Sequence, residues 1–146
     1  VPRILYPPGG GVVPPAVLDT VAPVITFGND SVGASVTTRY LSPWFEDTLA
    51  QTVPAQWRIP RAGTLRSLRV HQNGPAGNGG LIVYTVRING VATALSVSMA
   101  STAADGSDLV DSVVVAAGDL IDIEITKALA IATSPTDVLA SMVLGV

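Results

Sequence analysis

Apolar residues alternate with polar ones along much of this chain, and the alternation predicts strands rather than helices. In "LIDIEIT", Ile121, Ile123 and Ile125 share one parity while Asp122, Glu124 and Thr126 take the other. One buried face and one wet face follow from that period of two. The clearest local signal is "LIVYTVRI-NG-VATALSVSM", two β-rich runs flanking Asn89-Gly90, the pair preferred in a type I′ hairpin turn. In its second run Val91, Leu95, Val97 and Met99 share a parity, with Thr93 between them. "LVDSVVV", the turn "AAGD" and "LIDIEIT" predict a second hairpin.

Other segments read less evenly. "SVTTRYL" is β-branched and aromatic and predicts a first strand, after a turn-rich lead-in at "ITFGNDSVG". "SPWFEDTLAQTVPAQ" predicts a connection with a short helical turn from Pro43, Ser42 as N-cap and Phe45 and Leu49 at i,i+4. "QWRIP" and "TLRSLRVHQ" predict the next strands. In the latter, Leu65 and then Leu68 and Val70 change parity, which places a bulge near Ser67. "NGPAGNGG", "ASTAADGSD" and "KALAIATSPTD" predict loops, and "VLASMVLGV" a last strand. About eight strands with no long helix predict an all-β fold, an antiparallel β-sandwich of jelly-roll-like type. The period-two faces all lie after residue 34.

The opening "VPRILYPPGGGVVPP" belongs to no such pattern. Its prolines lack a backbone N–H and suit neither helix interiors nor central strands, and Gly9 to Gly11 add backbone freedom. Residues 1–23 therefore read as an extended arm and 24–146 as the β domain. An extended proline-rich chain advances about 3.1 Å per residue, so the arm spans roughly 70 Å. A domain of this size is on the order of 35 Å across. The arm is expected to cross to a neighbouring subunit. Ile4, Leu5 and Tyr6 would be buried anchors, Arg3 would pair with an acid, and Pro7 and Pro8 would hold that end extended.

Composition narrows the classes. At 146 residues the chain is one domain with appendages, and only 13% of it is charged, which excludes a disordered chain. No run approaches the length of a membrane-spanning helix, and no basic region leads into an apolar stretch at its start. Cysteine is absent, so neither disulfides nor thiolate metal sites exist. The net charge of −3, without a clustered basic stripe, argues against nucleic acid as a partner. The charge is uneven. Residues 31–87 hold six arginines against Glu46 and Asp47, whereas 88–146 hold seven acids against Lys127. Pairing inside the chain explains this, and so does pairing between subunits.

Candidate chemistry is sparse. His71 is the only histidine and reads as a sheet-edge imidazole. "NGPAGNGG" lacks the Lys-Ser/Thr and the helix that a phosphate loop requires. Asp105, Asp108 and Asp111 invite comparison with a calcium loop, but their spacing of three and the strand at Asp111 favour a solvated loop. Asp122 and Glu124 share a strand face and are near enough for a sugar-hydrolysing pair in principle, yet alternating acids on a wet face are ordinary. No catalysis and no cofactor or metal is expected. Trp44, Phe45 and Trp57 are more informative. In a chain only 5% aromatic they crowd one connection, either filling the core or forming an interface patch on an oligomer.

The run "YTVRINGVATALSVSMAS…GSDLVDSVVVAAGDLIDIEIT" resembles one that recurs in β-sandwich domains of tailed-phage structural proteins. Its marks are the NG hairpin, a variable polar loop, and a "V-x-x-G-D" turn before an alternating strand. Small size, the Pro/Gly arm and the strand pattern resemble the capsid decoration (cement) proteins of thermophilic long-tailed bacteriophages. The resemblance implies a virion protein on the capsid exterior, a homotrimer that clamps neighbouring major capsid proteins and stabilises the shell without catalysis. The alternative is a carbohydrate- or receptor-binding domain of a phage tail or fibre. Trp44, Phe45 and Trp57, together with Arg3 to Pro8 of the arm, are the expected partner-binding residues.

Overall fold

The computed structural model of the chain describes residues 22–35, 38–74, 80–128, 131 and 133–145, the Asp47 side chain excepted. They form nine strands: β1 (Val24–Ser31), β2 (Arg39–Leu49), β3 (Trp57–Arg58), β4 (Gly63–Asn73), β5 (Leu81–Ile88), β6 (Val91–Ala100), β7 (Asp105–Val115), β8 (Leu120–Lys127) and β9 (Thr136–Gly145). No helix occurs among the described residues. The hydrogen-bonded order is β6-β5-β8-β2-β1-β9-β4-β7, with β3 a second neighbour of β8. The sheet bends round until its end strands β6 and β7 lie side by side, nearly closing a barrel.

Alternation explains the core. Ile121, Ile123 and Ile125 of β8 are fully buried, as are Ile82, Tyr84 and Val86 of β5 and Met142 and Leu144 of β9. Each such side chain contributes about 1.5–3 kcal/mol when withdrawn from water. Asn89 and Gly90 join β5 to β6 with positive φ at both positions (51° and 81°), as a type I′ turn requires. In β4 the parity change is real. Ser67 has φ 58° and the pairing with β7 shifts between Arg66 and Leu68, so Leu65, Leu68 and Val70 all point inward.

Four expectations are corrected. "ITFGNDSVG" is not a lead-in, because β1 runs through it between β2 and β9, with Phe27 fully buried. The inward-facing strand pattern therefore begins before residue 34, within the β domain read as starting at residue 24. The helical turn from Pro43 does not form. Ser42, its supposed cap, lies in β2 and donates its backbone N–H to Asn29 Oδ1 of β1 instead of capping a helix. The sheet is mixed rather than wholly antiparallel, since β1 and β2 pair in parallel from Phe27↔Trp44 to Ser31↔Leu49. Finally, β7 and β8 are not a hairpin. Asp119 Oδ2 accepts the Ala116 N–H at 2.8 Å, so the turn exists, but β7 pairs with β4. Both edges of β8 are already filled, one by β5 and the other by β2 and β3.

The long ladders are nested: β1 with β9, β2 with β8, β4 with β7, β5 with β6. Where β6 meets β7, Gly106 allows the close approach. A Cβ there would lie 2.6 Å from Val97 Cγ1 and 3.1 Å from Met99 Sδ. One bond spans this seam, from Ser96 N–H to Asp108 Oδ2 at 3.1 Å.

Candidate interaction surface

Strand β2 is two things in succession. Arg39 to Leu41 pair with Ile125 to Ile123 of β8, and Trp57 and Arg58 of β3 resume on β8 at Ile121 and Leu120. Only Asp122 separates the two pieces on β8. Between them residues 42–56 leave the strand, run beside β1, and return past Tyr40, which exchanges backbone bonds with Gln51. This excursion bridges β8 to β1 and so joins the two halves of the sheet.

A polar network holds it in place. Asn29 of β1 is fully buried; its Oδ1 accepts the Ser42 N–H at 2.9 Å and its Nδ2 donates to Ser42 Oγ at 3.2 Å. Ser42 Oγ donates in turn to Glu46 Oε2 at 2.9 Å, which also receives Gln51 Nε2. A buried amide with partners at both ends fixes one register for the strands that carry them.

With its backbone tied inward, the excursion turns its large apolar side chains outward. Trp44 is 64% exposed, Phe45 47% and Val53 66%. Trp44 adopts φ 64°, a region that bulky residues rarely enter and that costs on the order of 1–3 kcal/mol. Its ring meets that of Trp57 at 4.9 Å between centroids, tilted by 51°. Phe45 bends over Gly28, whose missing side chain makes the space: a Cβ there would stand 2.8 Å from Phe45 Cδ2 and 3.4 Å from Leu139 Cδ1. The three aromatics singled out in the sequence thus lie on one excursion and its return, with Trp44 and Phe45 exposed and Trp57 half-buried. Arg3, Ile4, Leu5, Tyr6, Pro7 and Pro8 lie outside the described residues.

The acids on β8 are not on a wet face. Asp122 is fully buried, opposite Arg87 on β5, whose Nε donates to Asp122 Oδ1 at 2.7 Å and Nη1 to Glu124 Oε2 at 2.9 Å. Gln56 Nε2 reaches Asp122 Oδ2, and Tyr40 O–H donates to Glu124 Oε2. The guanidinium lies 4.7 Å above the Tyr40 ring. Burial first, with the acids beside it, pushes the Tyr40 phenol above its usual value against the pull of Arg87. Both carboxylates are committed to one cation, and part of the charge asymmetry is met within the chain. Period-two reading missed this because it cannot see what covers the outer face.

The aspartates of "DGSDLVD" lie in β7 rather than in a loop. Asp108 accepts backbone N–H groups from Ser96, Val110 and Asp111, and Asp105 takes His71 Nδ1 at 2.8 Å. No group of three or more His, Cys, Asp or Glu side chains is placed to hold a metal ion among the described residues.

A groove of about 390 Å³ opens on the outer face of β7, β4 and β9, lined by Arg69, His71, Asp105, Ser107, Leu139 and Ser141. The ladders set these in two rows, Ser141–Arg69–Ser107 and Leu139–His71–Asp105. The sequence signal for it, Arg69 and His71 two apart on a strand, is too common to single out. No protein-family model matches the chain, and a search of curated proteins finds no match.

Proposed function

We propose that this chain is a structural shell protein without catalysis, which binds the exterior of a phage capsid as a symmetric oligomer and cements neighbouring capsid subunits. The observation that carries the reading is Trp44, an indole held in solvent by a strained backbone and a buried polar anchor. Strain of this kind persists only where surrounding structure enforces it, and exposed aromatics beside one another are what protein interfaces use at their centres. The nested ladders are those of a long hairpin folded over on itself, the arrangement of a jelly roll, and we assign the barrel to that type. In this reading a homotrimer presents the Trp44, Phe45 and Trp57 surface, while the arm ahead of Pro23, whose carbonyl accepts the Leu144 N–H of its own β9, reaches across to an adjacent subunit.

The test uses the full chain on expanded capsids that lack it. Trp44→Ser with Phe45→Ser should abolish attachment, and Leu5→Ser with Tyr6→Ser should weaken it, while both variants keep the β signature in circular dichroism. Attachment unchanged in both folded variants would end the proposal. Sedimentation equilibrium showing only the 14.9 kDa monomer, together with shell images lacking three-fold density, would refute the trimer.

A further inference from the structure

Arg69 stands in the middle of the outer-face groove with a serine beside it on each neighbouring strand, Ser107 on β7 and Ser141 on β9. No carboxylate pairs with its guanidinium among the described residues. That leaves a fork of N–H donors, flanked by two hydroxyls, facing a space of the size that small-ligand sites occupy. A planar carboxylate matches this fork with two parallel bonds.

The second row decides what the carboxylate is attached to. Asp105 holds His71 by Nδ1, leaving Nε2 for a ligand, and Asp105 itself can accept from hydroxyl groups. Its negative charge in the same groove disfavours a doubly charged anion such as phosphate. Leu139, 40% exposed, offers an apolar patch beside His71. One cation, several hydrogen-bonding groups and a small apolar patch suit a ring with one negative charge, many hydroxyls and C–H faces. We infer that the Arg69/His71 groove binds an acidic saccharide through its carboxylate, a uronic acid or an oligomer of one. The inference is independent of the capsid reading, since the groove uses none of Trp44, Phe45 or Trp57.

Amide and side-chain NMR of the full chain tests it, with D-glucuronate and tri-galacturonate as probes and methyl β-D-glucoside, glutamate and inorganic phosphate as comparisons. The expected result is saturable shifts at Arg69, His71, Ser107, Leu139 and Ser141 with the uronates, at least tenfold weaker with each comparison compound. Arg69→Gln should weaken uronate binding at least tenfold, and His71→Gln should weaken it less. Arg66→Gln, an exposed arginine on the same strand outside the groove, should leave it unchanged. No uronate shifts, or equal binding of glutamate, phosphate or the neutral glucoside, would overturn the inference. So would folded Arg69→Gln protein that binds uronate as tightly as the parent.

Discussion

Arg87 and Asp122 face each other across the β5–β8 ladder, and the guanidinium grips the carboxylate with two nitrogens, Nε at 2.7 Å and Nη2 at 3.2 Å. Asp122 is fully buried, so the guanidinium stands in for the water its carboxylate has given up. The hydrogen bonds to Asp122, working against burial, raise the already high Arg87 pKa. The cation is permanent.

Removing one partner should therefore hurt more than removing both. Arg87→Met strands a buried carboxylate and is expected to cost about 3–5 kcal/mol. Adding Asp122→Leu should recover part of that loss. Urea denaturation of the two single variants and the double variant measures the coupling, and additive losses would show that the pair does not act as one.

Trp44→Gly should separate strain from docking. Glycine adopts positive φ freely, so about 1–3 kcal/mol of strain is relieved, offset by about 0.5–1 kcal/mol for the greater freedom of glycine in the unfolded chain. Losing the ring contact with Trp57 removes about 0.5–1.5 kcal/mol. Net stability should stay within about 1 kcal/mol of the parent by calorimetry, while the association proposed for this surface falls sharply.

Tyr84 and Lys127 make alkaline stability depend on pH in opposite directions. Burial pushes the Tyr84 phenol far above 10.0, so its contribution is intact below that value and is lost as pH rises beyond it. Burial, and then Arg39 beside it, lowers the Lys127 pKa below 10.5, so the unfolded chain binds its proton more tightly. Stability therefore rises with pH as Lys127 deprotonates in the folded state. Tyr84→Phe should flatten the fall above 10.0, and Lys127→Met should flatten the rise below 10.5. Urea midpoints across that range read both. The Tyr84 hydroxyl donates to Gln72 Oε1 at 2.7 Å, so its removal also costs about 1 kcal/mol at neutral pH.

At the seam, Asp108→Ala removes the bond that spans β6 and β7. The loss should be about 1 kcal/mol, with faster hydrogen exchange at the Ser96 amide. Three backbone N–H groups, that of Asp111 foremost, hold the Asp108 carboxyl below 3.8. Its stabilisation is present above that value and fades as pH falls, so parent and variant should converge in acid. A Ser96 amide that exchanges no faster in the variant would rule the clasp out.

How much of this was legible depended on where the deciding interaction sat. Asn89-Gly90 and the bulge at Ser67 were readable because turn chemistry and parity are local. β1 was missed because Gly28, Asn29 and Asp30 are turn formers. Only the folded sheet shows Gly28 making room for Phe45 and Asn29 bonded to Ser42. The "AAGD" turn was read correctly and its hairpin wrongly, since pairing partners are chosen by the whole sheet. Likewise, Asp122 looked wet until Arg87 was placed over it from another strand.

The excursion of residues 42–56 both joins β8 to β1 and displays Trp44 and Phe45. A ligand that grips those rings must therefore also grip the join. Binding energy there is folding energy, and saturation at a hundred times the dissociation constant would raise stability by about 2.7 kcal/mol. The melting temperature thus becomes a gauge of occupancy: a copy bound through those rings should outlast a free one in heat, and by an amount that tracks how tightly it is held.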